Sequence, residues 1–224
     1  RNQQFNNGYK RLLCSVDRII FMGDSVYKSY GDAGLLDDIP EFSIDSPYIP
    51  PDYTNQKEKF NQYPASLKEF VVKHSPVFVV SGYKMMQLNG KDLYGFDTAI
   101  NVTATLKKEY SRIGLVVVLG TKGDETLFCA TLALIKELNL QDAVYVLCDS
   151  TYELWPLLAQ VDVLIRPSLS DNFGIAVAEA LAVGTPVIAS DVCKRQKGAQ
   201  VYPVNDTAQL IQHIKNCFLL KKQK

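Results

Sequence analysis

The sequence is short of the residues that build metal centres and covalent frameworks. It has two histidines, His74 and His213, too few for a zinc site built on three imidazoles, and no bound metal is expected. Its five cysteines, Cys14, Cys129, Cys148, Cys193 and Cys217, are odd in number, and no two stand at metal-ligand spacing. A disulfide framework is therefore not expected. Cys129 and Cys148, inside apolar runs, read as buried thiols in a reducing compartment. Excess charge is missing too: 24 basic residues balance 24 acidic ones, which argues against a nucleic-acid-binding chain. No apolar run is long enough to span a bilayer, and no stretch has the layout of a signal peptide. A cytoplasmic protein is the expectation. Basic residues do cluster locally, as Lys194, Arg195 and Lys197 and as the tail Lys221, Lys222 and Lys224. The tail reads first as a solvated helix end, with peripheral contact at the inner face of an anionic membrane as the minority reading. The chain opens RNQQF without Met, as a segment of a longer protein would.

What is present is a regular alternation from residue 76 onward. Apolar runs at 77–80, 115–120, 143–148, 161–165 and 187–190 read as strands, with a shorter one at 200–204. Between them, helices are expected at about 94–110, 124–138 (capped by Asp124), from Thr151, over 174–183 and over 206–219. Uniformly apolar strands alternating with helices predict an α/β fold: a Rossmann-like parallel sheet with helices on both faces. Ligands then bind at the carboxyl ends of the strands. The first 75 residues differ. A strand is expected at 16–22 and a short helix at 25–30, while 40–64 holds five prolines and reads as a linker with local turns. The division expected is 1–35, 36–75 as linker and 76–224 as the main domain, with the early segment either the edge of a neighbouring domain or an addition to the main sheet.

The chemistry concentrates in RPSLSDNFGIAVAEALAVGTPVIASD, residues 166–191. Asn172, Phe173 and Gly174 form a turn leading into a helix whose first residues, from Ile175, are apolar or small. The helix N-terminus there offers unpaired N–H groups to an anion, and Gly174 lets a ligand approach the backbone. Glu179 carries a charge inside an otherwise apolar helix. Such a carboxylate is costly to bury without hydrogen bonds, which a ribose diol could supply. A solvent-facing Glu, or one capping a neighbouring loop, is the structural alternative.

That run closely resembles the signature of the retaining glycosyltransferases of family 4, enzymes of the GT-B fold with two facing Rossmann-like domains. The matching elements are Pro167, Ser168, Asp171, Phe173, Gly174, Glu179, Gly184, Pro186, Val187 and Ile188. VDRIIFMGDSVYKSYG resembles the last strand and helix of that family's amino-terminal domain. The resemblance implies that 1–35 is a remnant of the N-terminal, acceptor-binding domain, that 36–75 is interdomain, and that 76–224 is the C-terminal donor-binding half. It implies a nucleoside-diphosphate sugar as donor substrate, no other cofactor, and transfer to a glycan, lipid-linked or small-molecule hydroxyl with retention, in polysaccharide biosynthesis. Glu179 would hold the ribose, Asp171 the transferred sugar, and the amides of Asn172, Phe173, Gly174 and Ile175 the donor's sugar and diphosphate. The loop near Asp149 and Ser150 would border the base, with Tyr152 as a contact. Most of the N-terminal domain is missing here, so the isolated chain is expected to be inactive. The family commonly has Gly-Arg after the first strand and Lys-Gly at the next helix, two cations that neutralise the diphosphate. This chain has Gly82-Tyr83 and Tyr94-Gly95 instead. Lys84, Lys91 and Arg195 are the candidate substitutes. The alternatives are a non-catalytic nucleotide-sugar-binding or scaffold protein derived from such an enzyme, or a GT-B-like epimerase or phosphorylase. A dinucleotide-dependent oxidoreductase is set aside, because Gly120-Thr121-Lys122-Gly123 lacks the glycine spacing of that fold.

Overall fold

The computed structural model describes residues 3–37 and 39–221. The chain divides into two compact units, 1–49 and 50–224. In the first, α1 (Gln3–Leu13) precedes β1 (Arg18–Phe21), α2 (Asp24–Asp32) and β2 (Glu41–Ile44). The two strands pair in parallel, Arg18 opposite Glu41. The unit is held by aromatic rings: Phe21, 3% exposed, meets Tyr27, Tyr30 and Phe42 edge-on, and Tyr27 stacks on Phe42 at 5.0 Å.

The second unit runs α3 (Gln56–Asn61), α4 (Ala65–Lys73), β3 (Val77–Met85), β4 (Gln87–Leu88), β5 (Lys91–Asp92), α5 (Phe96–Lys107), β6 (Gly114–Gly123), α6 (Glu125–Glu137), β7 (Val144–Cys148), α7 (Trp155–Leu158), β8 (Val163–Arg166), α8 (Ile175–Ala182), β9 (Val187–Ser190), β10 (Gln200–Tyr202) and α9 (Thr207–Lys221). Six strands form one sheet in the order β10-β9-β8-β3-β6-β7, every pair parallel. Successive side chains of β3 alternate between two cores. Phe78 and Val80 pack with α5, α6 and α9 residues such as Ile100, Ile135 and Ile214. Val77 and Val79 pack with Leu67, Leu157 and Val177 on the other face. Both faces are therefore covered, as the uniformly apolar strands require.

This topology positions the site. From β3 the chain winds outward through β6 and β7, then returns to the other side of β3 at β8 and winds outward again to β10. The carboxyl ends of β3 and β8 flank the point where the direction reverses, and ligands of such sheets bind there.

Several expectations are corrected. The segment 36–75, expected to be a linker, supplies β2 to the first unit and α3 and α4 to the second. Leu67 of α4 reaches a core, and Phe42 of β2, itself 42% exposed, stacks on Tyr27. Cys129 and Cys148 are exposed. The buried face of α6 is Phe128, Thr131 and Ile135, so Cys129 points outward, and Cys148 ends the edge strand β7. Both β3 and β6 run several residues past their expected ends, to Met85 and Gly123. Residues 81–93, between the expected strand and helix, are continued strand and then a tight β4–β5 hairpin. Its two-residue turn, Asn89-Gly90, has both φ angles positive, 51° and 76°, which is the conformation Asn-Gly favours in hairpins.

Gly95 joins the hairpin to α5 at φ 71°. A Cβ there would stand 2.5 Å from the Pro167 carbonyl oxygen. Gly95→Ala combines left-handed backbone strain with a collision against backbone, so a loss of at least about 2 kcal/mol is expected, read as a lowered midpoint in chemical denaturation.

Candidate functional site

The crevice at the ends of β3 and β8 is built around a buried charge cluster. Arg166, the last residue of β8, donates from Nε to Asp171 Oδ2 at 3.0 Å and from Nη1 to the Ser81 carbonyl at 2.6 Å. Its guanidinium lies 4.8 Å from the ring centroid of Tyr94. Arg195 donates from Nη1 to the same Asp171 oxygen at 2.9 Å and from Nε to the Ser190 carbonyl at 2.8 Å. Longer bonds run from its Nη2 to the hydroxyls of Ser168 and Ser190. Asp171 Oδ1 accepts from its neighbour, the Asn172 amide. Burial by itself would raise the Asp171 pKa, but the two guanidiniums outweigh it and hold the carboxyl below its ordinary value.

The sequence-expected residues meet here in part. Gly82 lies under Tyr94, since a Cβ on it would come within 2.6 Å of that ring; its small size serves ring packing. Gly174, at φ 74°, begins α8 and lies against both Asp171 and Arg195. Gln196 donates to the Phe173 carbonyl, closing the turn that leads into the helix. No side chain caps α8. At α6, by contrast, Asp124 caps the helix, and at α5 the Asp92 carboxylate accepts the amides of Tyr94, Phe96 and Asp97. Asp92 is itself buried, which raises its pKa, and those three amides partly offset the shift. The Val177 amide bonds the Gly174 carbonyl, which leaves the Ile175 and Ala176 amides of the first turn available to an anion.

Lys84 sits exposed on β3, opposite Thr121, and Lys91 sits exposed in the hairpin. No bond ties either to the Asp171 cluster among the described residues. Arg195 does enter the crevice wall, but its side chain is 1% exposed and its donors are turned inward. Arg166 and Asp92 were not foreseen. The signal for Asp92 was an acid just before a helix. The signal for Arg166 was a cation at the end of a buried strand, five residues before an acid.

A second cluster lies beside α8. Glu179 is half-buried and makes no side-chain hydrogen bond or ion pair with any described residue. Burial pushes its pKa up to about 7, with the nearby Glu153 carboxylate adding to the rise. Glu153 is by contrast held ionised, chiefly by Lys59 and then by the Trp155 indole N–H. Tyr152 stacks on Tyr63 at 4.7 Å, and Tyr63, whose hydroxyl donates to the Glu153 carbonyl, is close enough for Glu179 to influence it. Asp149 is engaged locally, accepting from the Thr151 amide and hydroxyl at 2.8 Å. Among the described residues no group of three or more His, Cys, Asp or Glu side chains could hold a metal ion.

A parallel six-stranded sheet wound in this order, with helices on both faces, is the Rossmann-like architecture of GT-B proteins. Residues 89–198, just under half of the chain, match the family model for glycosyl transferases group 1. It is 30% identical over 125 residues to the O-antigen biosynthesis glycosyltransferase WclY of Escherichia coli, covering 56% of this chain and 31% of that protein. It is 34% identical over 102 residues to the D-inositol 3-phosphate glycosyltransferase of Kineococcus radiotolerans, covering 43% and 23%. The matched part thus spans about a third or less of these relatives. Among solved structures, a glycosyltransferase from Rickettsia africae aligns at TM-score 0.65 and 18% identity over 98% of this chain and 58% of that one. The pneumococcal O-GlcNAc transferase GtfA, solved with UDP and GlcNAc, aligns at 0.68 and 16% over 100% and 42%. At these identities the structures establish the shared fold.

Proposed function

We propose that this chain is the donor-binding half of a retaining glycosyltransferase, which passes a sugar from a nucleoside-diphosphate sugar to an acceptor hydroxyl in glycan synthesis. The observation that carries the reading is Glu179: a half-buried carboxylate, without a partner among the described residues, one turn inside a helix whose N-terminus is uncapped. Two adjacent ribose hydroxyls would satisfy it. The diphosphate would then lie toward Gly174 and the first-turn amides, where charge growing on the leaving group is stabilised. The base would lie toward the Tyr152 loop. Asp171 orients the turn from Asn172 to Gly174 through its arginines, and any contact it makes with the transferred sugar would come through Oδ1. The acceptor would be held by an N-terminal domain, of which residues 1–49 are a part. The protein would act in the cytoplasm, at the inner face of the membrane where the acceptor is lipid-linked.

The test is calorimetric titration of the protein with UDP, GDP, ADP, CDP and dTDP. One of the five should bind, and Glu179→Ala should weaken it by about 10- to 100-fold, the worth of one or two hydrogen bonds to a charged group. Binding unaffected by the substitution would remove the ribose role from Glu179. Absence of binding by all five would remove the donor-site reading.

A further inference from the structure

The two positions where the family commonly places diphosphate-neutralising cations hold Tyr83 and Tyr94, and the three lysine and arginine substitutes named from the sequence do not supply the charge in an obvious way. Lys84 and Lys91 are exposed and untied to the cluster. Arg195 spends its donors on Asp171, Ser168 and Ser190. Arg166 is different. Its Nε and Nη1 are engaged, but no bond runs from Nη2 to any described residue. That nitrogen is also not among the buried polar atoms without a partner, so it keeps some solvent access although the side chain as a whole is 9% exposed.

The charge balance points the same way. Two guanidiniums share one carboxylate, which leaves one positive charge in excess at a site largely closed to water. An unbalanced buried charge is costly, and a bound anion relieves it. We propose that Arg166 is the phosphate-binding cation of this protein, with Tyr94 as its platform. In this arrangement the ring occupies the position expected of a lysine and carries the guanidinium on its face. The geometry also explains Gly82, which leaves room for that ring. The ligand class is a diphosphate ester, gripped through Nη2 and the net charge of the cluster together with the α8 amides. This inference rests on the donor-site reading above.

The experiment compares the nucleoside diphosphate found to bind with the nucleoside monophosphate of the same base, on the wild type, Arg166→Met and Arg166→Lys. In Arg166→Met, Asp171 keeps Arg195 as its partner, so no unpaired charge is created. Arg166→Met is expected to lose about 10- to 100-fold in diphosphate affinity, with a clearly smaller loss for the monophosphate. Arg166→Lys should restore part of the diphosphate affinity, and it serves as the informative variant if the Met form does not fold. A purely structural arginine would weaken both nucleotides equally, and that result overturns the proposal. So does diphosphate affinity kept within twofold in Arg166→Met while Glu179→Ala loses it. No nucleotide binding by the wild type would instead bring down the donor-site reading itself, and the proposal with it.

Discussion

Asp171→Asn is expected to be the most destabilising single substitution at this site, at about 3–5 kcal/mol. It keeps the shape of the side chain but removes the charge that two buried arginines share. Arg166 and Arg195, with side chains 9% and 1% exposed, would face each other without a counterion. Breaking a buried pair by deleting one partner costs that much because the remaining charge cannot reach water. For a chain of this length the midpoint of thermal unfolding should fall by roughly 10 °C. Asp171→Glu keeps the charge and should cost less, limited by the close approach to Gly174. Combining Asp171→Asn with Arg166→Met should be less damaging than the sum of the two, since the double variant leaves one unpaired guanidinium where Asp171→Asn leaves two. A melting temperature unchanged in Asp171→Asn would mean that the cluster is solvated and that its charges do not depend on one another. The consequence for function is practical: loss of activity on changing Asp171 would not by itself show a sugar contact.

The second large effect expected is a pH dependence of nucleotide binding centred near 7. Glu179 has its pKa raised to about 7 by burial first and Glu153 second. Hydroxyl donors favour the ionised form, so a ribose should bind better once Glu179 has lost its proton. Affinity should therefore rise between pH 5.5 and 8, by about thirtyfold if only the ionised form binds, and Glu179→Gln should flatten the profile. Stability runs in the opposite sense. Between the ordinary carboxyl pKa and about 7 the native state binds a proton that the unfolded chain has released, so stability falls as pH rises through that range. Glu179→Gln should leave stability near pH 5 little changed and raise it above pH 7 by about 2 kcal/mol, an amount reduced for partial solvent access. A binding profile equally flat in the wild type and the Gln variant would rule out ribose recognition by this carboxylate.

Much of this architecture could be read from residue order. The alternation of apolar runs with helical periods located all six strands of the main sheet, most plainly β8 and β9, where a strand buried on both faces has no polar side to disguise it. Asp124 marked the start of α6, and Pro156 falls in the first turn of α7. What periodicity did not resolve were ends and faces. The continuation of β3 past residue 80 and of β6 past residue 120 is made largely of Gly, Tyr, Lys and Thr, whose extension depends on pairing between the two strands. The outward position of Cys129 was hidden because apolar residues surround it on both sides in sequence, while the helix turns them away in space. The short strand β2 was hidden among prolines, since its stability comes from stacking against Tyr27.

At the site the division is sharper. The order Pro167, Ser168, Asp171, Phe173, Gly174, Glu179 was enough to point to a glycosyltransferase signature, and residues 89–198 match the model for glycosyl transferases group 1. Local spacing also put a helix N-terminus after Gly174 and an isolated acid one turn further on, because both are matters of a few consecutive residues. The charge arrangement was decided only by the tertiary structure. Arg166 ends one strand, Tyr94 follows a hairpin, Arg195 follows another strand and Asp171 lies in a loop, and these four meet because the sheet reverses direction between β3 and β8. Sequence alone counts their charges. Burial, which removes the water that would screen them, determines that two arginines compete for one carboxylate and that an anion would be welcome beside them.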